Sequence, residues 1–220
     1  MQKVIIIGGI GSGTVIAQAI KDANNRGDNS LIVEGFMSHD TLPGTMLQDI
    51  PVVAQQSFEN IIKLYHEGYK FLFALHRIDN GKKFIDLFND LGLKPEMLAI
   101  FIHPKAFVSP DVIIGTGCVI MPFVILSSHA NIGMNTLIMT GATVGHNTTL
   151  GNFTHIASQA VIGAYIKTGI SVHIGLNATI MEYLSLDDFS TLGMGSVLTK
   201  SIKEKEIWVG NPAKFLRLSK

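Results

Sequence analysis

Residues 126–162 read LSSHANIGMNTLIMTGATVGHNTTLGNFTHIASQAVI, and every sixth residue is aliphatic: Leu126, Ile132, Ile138, Val144, Leu150, Ile156 and Ile162. The phase continues outward in both directions. Toward the N-terminus it takes in Ile120, Ile114, Val108 and Ile102; toward the C-terminus it takes in Thr168, Ile174, Ile180, Leu186, Leu192 and Leu198. Sixteen of the seventeen positions are aliphatic, and Thr168 is the exception. Neither a helix nor an ordinary strand has this period. A hexad belongs to a parallel β-helix solenoid. Four residues after the anchors stand small or moderate side chains, among them Ala106, Cys118, Ala130, Thr136, Ala142, Thr148, Thr154 and Ala160. One residue after the anchors glycine recurs, at Gly115, Gly133, Gly145, Gly151, Gly163, Gly175 and Gly193. The pattern predicts a three-sided prism in which each hexad supplies one flat side and one corner. The anchor points inward, the small residue packs beside it, and glycine relieves a corner of unusual backbone angles. Three hexads make one coil, so residues eighteen apart stack, and the prism is roughly 25 Å tall at the usual strand spacing.

The 220 residues carry 17 basic and 17 acidic side chains, a balance that argues against a generic nucleic-acid binder. Apolar runs such as Val4 to Ile7 are too short to span a membrane, and no signal peptide is expected after Met1-Gln2-Lys3. The single cysteine, Cys118, sits at a small inward position, where a buried and inert thiol is expected. These features suit a bacterial-type cytoplasmic protein.

The first hundred residues follow another grammar, and three segments are expected: an α/β domain over 1–100, the solenoid over 101–200 and an extended tail over 201–220. Val4-Ile5-Ile6-Ile7 reads as a buried parallel strand, Gly8-Gly9-Ile10-Gly11-Ser12-Gly13 as a turn, and Thr14 to Ala23 as a helix. Strands at Leu31–Val33, Pro51–Val53 and Phe71–Leu75 and helices at Phe58–Tyr65 and Lys82–Leu91 complete a βαβ-type nucleotide-binding unit. The glycine loop opens a helix, where backbone donors suit a phosphate. It does not match the full G-x-G-x-x-G pattern, which disfavours a dehydrogenase.

The hexads, with the tail Val209-Gly210-Asn211-Pro212-Ala213, resemble the hexapeptide-repeat acyltransferases of the left-handed β-helix family. The α/β domain ahead of them narrows the resemblance to bacterial nucleotide-sugar acetyltransferases. That group includes the sialic acid O-acetyltransferases and the UDP-4-amino-sugar and GDP-perosamine N-acetyltransferases. The fold class implied is an α/β N-terminal Rossmann-like domain followed by a left-handed parallel β-helix. The local motif is Thr143-Val144-Gly145-His146-Asn147-Thr148-Thr149-Leu150-Gly151-Asn152-Phe153-Thr154-His155. The resemblance implies that His146 is the general base and that His155 meets acetyl-CoA. It further implies that Leu176 and Met194 border the pantetheine arm and that Ile10, Gly11, Ser12, Ser38 and His39 contact the nucleotide-sugar. The family's acidic residue after the base is Asn147 here, which can orient the ring without adding charge. Gly11-Ser12 replaces the family's Gly-His pair, and Ser38-His39-Asp40 replaces its paired aspartates.

Acetyl transfer to an amine requires a deprotonated nucleophile and a stabilised thioester oxyanion, and an imidazole titrating near neutrality can take the proton. His146 follows its anchor by two residues and should project outward into a groove shared with a neighbouring prism. A homotrimer with three interfacial sites is therefore expected, with acetyl-CoA as co-substrate, direct attack in a ternary complex and no metal. Three alternatives stay open: O-acetylation of a sugar hydroxyl, a γ-carbonic-anhydrase-like zinc site and a non-catalytic β-helix protein. The zinc site needs three histidines, typically including a pair five residues apart, whereas His129, His146, His155 and His173 are separated by 17, 9 and 18. Asn147 and Ser12 favour the non-catalytic reading.

Overall fold

The computed structural model describes residues 1–28 and 30–219. The chain opens with β1 (Gln2–Ile7), α1 (Ser12–Asn25), β2 (Leu31–Ser38), β3 (Met46–Leu47), β4 (Ile50–Gln55), α2 (Phe58–His66), β5 (Lys70–Phe73) and α3 (Gly81–Asp90). The sheet order is β3-β4-β2-β1-β5, parallel except for the β3–β4 pair. Each expected strand and helix is present, with bounds moved by one to a few residues. On α1, Ile16, Ala17, Ile20 and Ala23 are buried, the stripe that seats a helix on a sheet. Ser57 caps α2, its Oγ accepting from the Asn60 amide at 3.2 Å.

From Phe101 to Leu198 the chain winds through two-residue strands, each ending on a hexad anchor. Strands eighteen residues apart pair in parallel, as Ile125↔Thr143 and His155↔His173 do, and they form three sheets. The anchors from Ile120 onward are buried, whereas Ile102 is 38% exposed and Val108 and Ile114 are half-buried. The first coil has no coil beneath it to close its interior. Thr168 is buried as well, and its hydroxyl accepts from the Gly151 amide at 2.8 Å, which satisfies a polar side chain inside the prism.

The glycines that follow the anchors do not relieve the corner, contrary to expectation. The left-handed corner lies three residues after the anchor, at Phe123, His129, Asn135, Asn147, Phe153, Gln159, Tyr165, Ser171, Asn177, Tyr183 and Phe189, with φ between 54° and 62°. The glycines one residue after the anchor are not in that region. They are required because successive coils touch there: a Cβ on Gly145 would lie 2.6 Å from the Ala164 amide nitrogen, and one on Gly151 would lie 2.1 Å from the Gly169 carbonyl oxygen. Gly117, Gly141 and Gly195 take the same corner without strain, at φ 77°, 74° and 64°; the non-glycine residues there bear roughly 1 kcal/mol or more each, and hydrogen bonds to the coil before hold them in place. Tyr165 N, for example, donates to His146 O at 3.0 Å. Gly151→Ala is expected to cost about 1–3 kcal/mol or more, because backbone cannot retreat as a side-chain tip can. A urea midpoint equal to that of the parent protein would contradict this account.

The α/β unit covers the sheet that contains His155. Phe88 packs edge-on against Phe153 of the solenoid at 5.1 Å and against Phe73 at 5.4 Å, so one apolar cluster spans both units. The linker continues the α/β sheet through a parallel bridge between Phe71 and Leu98. A second tie was not visible in the sequence. His103, fully buried, accepts from the Lys105 amide at Nδ1 and donates from Nε2 to Asp22 of α1 at 3.1 Å. The tail, strands Glu206–Gly210 and Ala213–Leu218, adds a hairpin to the edge strand Thr191–Leu192 of the sheet that contains His155. Arg217 grips Asp79 with two hydrogen bonds, at 3.1 and 2.6 Å. Among the described residues, no helix is long and apolar enough to cross a membrane.

Candidate active site

His146 occupies a corner of the prism, between the strands Thr143–Val144 and Thr149–Leu150. Val144 ahead of it is buried, so the chain turns outward and leaves the imidazole exposed. Its Nδ1 lies 2.9 Å from Asn147 Oδ1. An amide oxygen only accepts, so Nδ1 carries the hydrogen and Nε2 keeps a free lone pair. Asn147 can make this bond because it sits at the left-handed corner, φ 57°, a conformation asparagine tolerates well. One coil on, Tyr165 meets the His146 ring edge-on at 5.2 Å, and Tyr183 stacks on Tyr165 at 4.8 Å. His129 belongs to the same side of the prism but is bound to Asp111, with Nδ1 2.9 Å from the carboxylate.

His155 lies on a flat side of the prism and not at a corner. It opens the strand His155–Ile156 on the sheet that the α/β unit covers. His173 pairs with it one coil on, and the two Nδ1 atoms lie 2.9 Å apart. His76, in the segment after β5, lays its ring over His155 at 5.7 Å and 26°. Burial is the leading cause of a lowered pKa in all three: His76 and His173 are brought down to about 4, and His155 lies well below its usual value. Each is therefore neutral at neutral pH. Phe84, Arg77, Ser171 and Phe153 close the small cavity around them.

A larger cleft opens from that cavity between the two units, at the C-terminal edge of the parallel sheet, where α/β folds bind ligands. Gly8, Gly9, Ile10, Ser38, His39, Asp40 and Thr41 form one wall. Ser38 is buried, its Oγ accepting from the Thr41 amide at 3.2 Å, while Ile10 is 82% exposed. Gly11 and Ser12 lie outside this lining, at the start of α1. Sequence reading missed Arg77, Lys82 and Lys83, cationic residues of the opposite wall. Their only signal was proximity to the end of a parallel strand.

Leu176 and Met194 are 51% and 77% exposed and follow the anchors Ile174 and Leu192 by two residues. They mark a corner of the prism different from that of His146. One chain thus keeps the expected residues apart: His146 at one corner, Leu176 and Met194 at another, His155 in the small cavity, Ile10, Ser38 and His39 on the wall of the cleft, and Gly11 and Ser12 outside it. Cys118 is buried, its thiol bonded to Gly133 O and pushed up to about 11 by burial, which leaves no thiolate for a covalent route. Among the described residues, no group of three or more His, Cys, Asp or Glu side chains is arranged to hold a metal ion.

Residues 129–164 match the family model of the bacterial transferase hexapeptide (six repeats). A search of curated protein sequences finds no match. Among solved structures, the acetyltransferase domain of PglB from Neisseria gonorrhoeae in complex with acetyl coenzyme A is 26% identical, with a TM-score of 0.81, covering 98% of this chain and 99% of that one. A mutant of perosamine N-acetyltransferase from Caulobacter crescentus, in complex with CoA and GDP-perosamine, is 23% identical, with a TM-score of 0.84, covering 99% of this chain and 98% of that one. WeeI from Acinetobacter baumannii is 24% identical, with a TM-score of 0.77, covering 98% of this chain and all of that one.

Proposed function

We propose that this chain, whose solenoid is a bacterial transferase hexapeptide domain of the left-handed β-helix type, transfers acetyl from acetyl-CoA to an amino group of a nucleotide-linked sugar. The observation that carries the reading is an exposed imidazole with one nitrogen committed to an amide oxygen and the other left bare. His146 Nε2 takes a proton from the sugar ammonium or from the attacking amine as the new N–C bond forms. The thioester C–S bond then breaks, and the CoA sulfur leaves and takes up a proton. Asn147 keeps the basic lone pair on Nε2. His155 meets the acetyl-CoA end, and Leu176 and Met194 flank the pantetheine arm.

The nucleotide lies in the cleft beneath the glycine loop, with Ser38 and His39 at its wall and Arg77 and Lys83 supplying positive charge opposite. Because one chain keeps His146 and the cleft on different sides, the working site is composite. A homotrimer in the cytoplasm is the form we assign. Exposed apolar side chains on the sheet leading into the His146 corner (Phe107 61%, Ile125 42%, Val161 46%) support burial against another copy.

The test is a thermal-shift panel of UDP-, GDP- and CMP-linked amino sugars, each with and without acetyl-CoA, followed by measurement of free CoA thiol. Acetyl-CoA at a hundredfold excess over its Kd should stabilise the protein by about 2.7 kcal/mol, and thiol should appear only with an amino sugar present. A protein that ignores acetyl-CoA at every concentration would overturn the proposal.

A further inference from the structure

An imidazole can donate to an acyl oxygen only through a nitrogen that carries hydrogen. Two neutral imidazoles whose Nδ1 atoms lie 2.9 Å apart share a single hydrogen between those atoms, so one of them donates and the other accepts. The nitrogens left over are then of opposite kinds. If His173 donates, His155 bears its hydrogen on Nε2. If His155 donates, its Nε2 is bare and can only accept.

We propose that His173 is a positioning residue that donates its Nδ1–H to His155 Nδ1 and so fixes the hydrogen of His155 on Nε2, facing the acyl oxygen. Parallel pairing of the two strands sets the separation of the rings. His76 holds the His155 plane by stacking from the α/β unit, so docking of the two units takes part in aligning the donor. Burial keeps all three rings uncharged, so the donor stays neutral and its hydrogen stays in place at neutral pH. The sharing of one hydrogen between the two Nδ1 atoms follows from their separation, whereas the choice of His173 as its donor rests on the acetyl-transfer reading, which needs a hydrogen on His155 Nε2. Together with Asn147, this gives opposite tautomers in one composite site: His146 is held as a proton acceptor and His155 as a hydrogen-bond donor.

The experiment is two-bond ¹⁵N–¹H correlation spectroscopy of the imidazoles in histidine-labelled protein at neutral pH, with His155 assigned by its loss in His155→Gln. The expected spectrum shows His155 as the Nε2–H tautomer. His173→Phe should leave a mixture of tautomers, and His173→Asn, whose amide can donate from the same place, should restore the original form. With a turning-over substrate, His173→Phe should lower kcat about tenfold, the worth of one hydrogen bond, with little change in KM for acetyl-CoA. His173→Asn should recover most of that loss. A parent spectrum with His155 in the Nδ1–H form overturns the proposal even if the variants misfold, and so does a His173→Phe protein with unchanged tautomer and kcat. The expected tautomer in a protein that binds no acetyl-CoA would instead sink the proposed function and leave the proton placement standing.

Discussion

His146→Ala is expected to lower kcat by about 10²–10⁴-fold, the usual worth of a positioned general base. The ring is exposed, and its side-chain contacts are one hydrogen bond to Asn147 and an edge contact with Tyr165. Removing it opens no cavity in the prism interior, so the urea midpoint should stay within ~0.5 kcal/mol of the parent value. Acetyl-CoA binding, read by calorimetry, should persist, because the loss falls on the transition state and not on the ground state. Asn147→Ala should fall between the variant and the parent, since the ring survives but nothing selects its tautomer. A His146→Ala enzyme that turns over at the parent rate would show that the base lies elsewhere.

The second large effect concerns acid. His76, His155 and His173 are neutral in the folded protein, with pKa values lowered from 6.5, and each binds a proton near that ordinary value once unfolded. Below pH 6.5 the unfolded chain therefore holds more protons than the folded one, and stability falls as pH falls toward about 4. For His76 or His173 the drop from 6.5 to about 4 corresponds to on the order of 3 kcal/mol across that window. The rings also oppose one another's protonation: His173 lowers His76, and both His173 and His76 lower His155. Urea midpoints between pH 4 and 7 should slope steeply for the parent protein and flatten in a His76→Phe, His173→Phe double variant. Equal slopes would mean that the three rings are solvated and free to ionise in the folded state.

Much of this architecture was readable before any coordinates. The hexad phase placed each buried anchor from Ile120 to Leu198, and the eighteen-residue coil correctly stacked His155 on His173. The same reasoning misjudged the glycines. A repeating glycine has two possible causes, a left-handed φ or a close approach, and composition does not separate them. Here Gly145 and Gly151 face backbone of the next coil, while Asn147, Phe153 and Tyr165 take the positive φ. The motif around His146 exposed its ring and its asparagine partner, because neighbours in sequence at a corner remain neighbours in space.

His76 was invisible for the opposite reason. It lies 79 residues before His155, in another unit, and reaches it only because Phe71 to Phe73 enter the α/β sheet and Phe88 packs on Phe153. His103 and Asp22 meet in the same way, 81 residues apart. Periodicity of apolar side chains determined the prism, because a period of six admits one solution that buries the anchors from Ile120 to Leu198 together. Which polar groups face one another across the two units was decided by docking of the α/β core, since burial and long-range packing have no local signature along the chain.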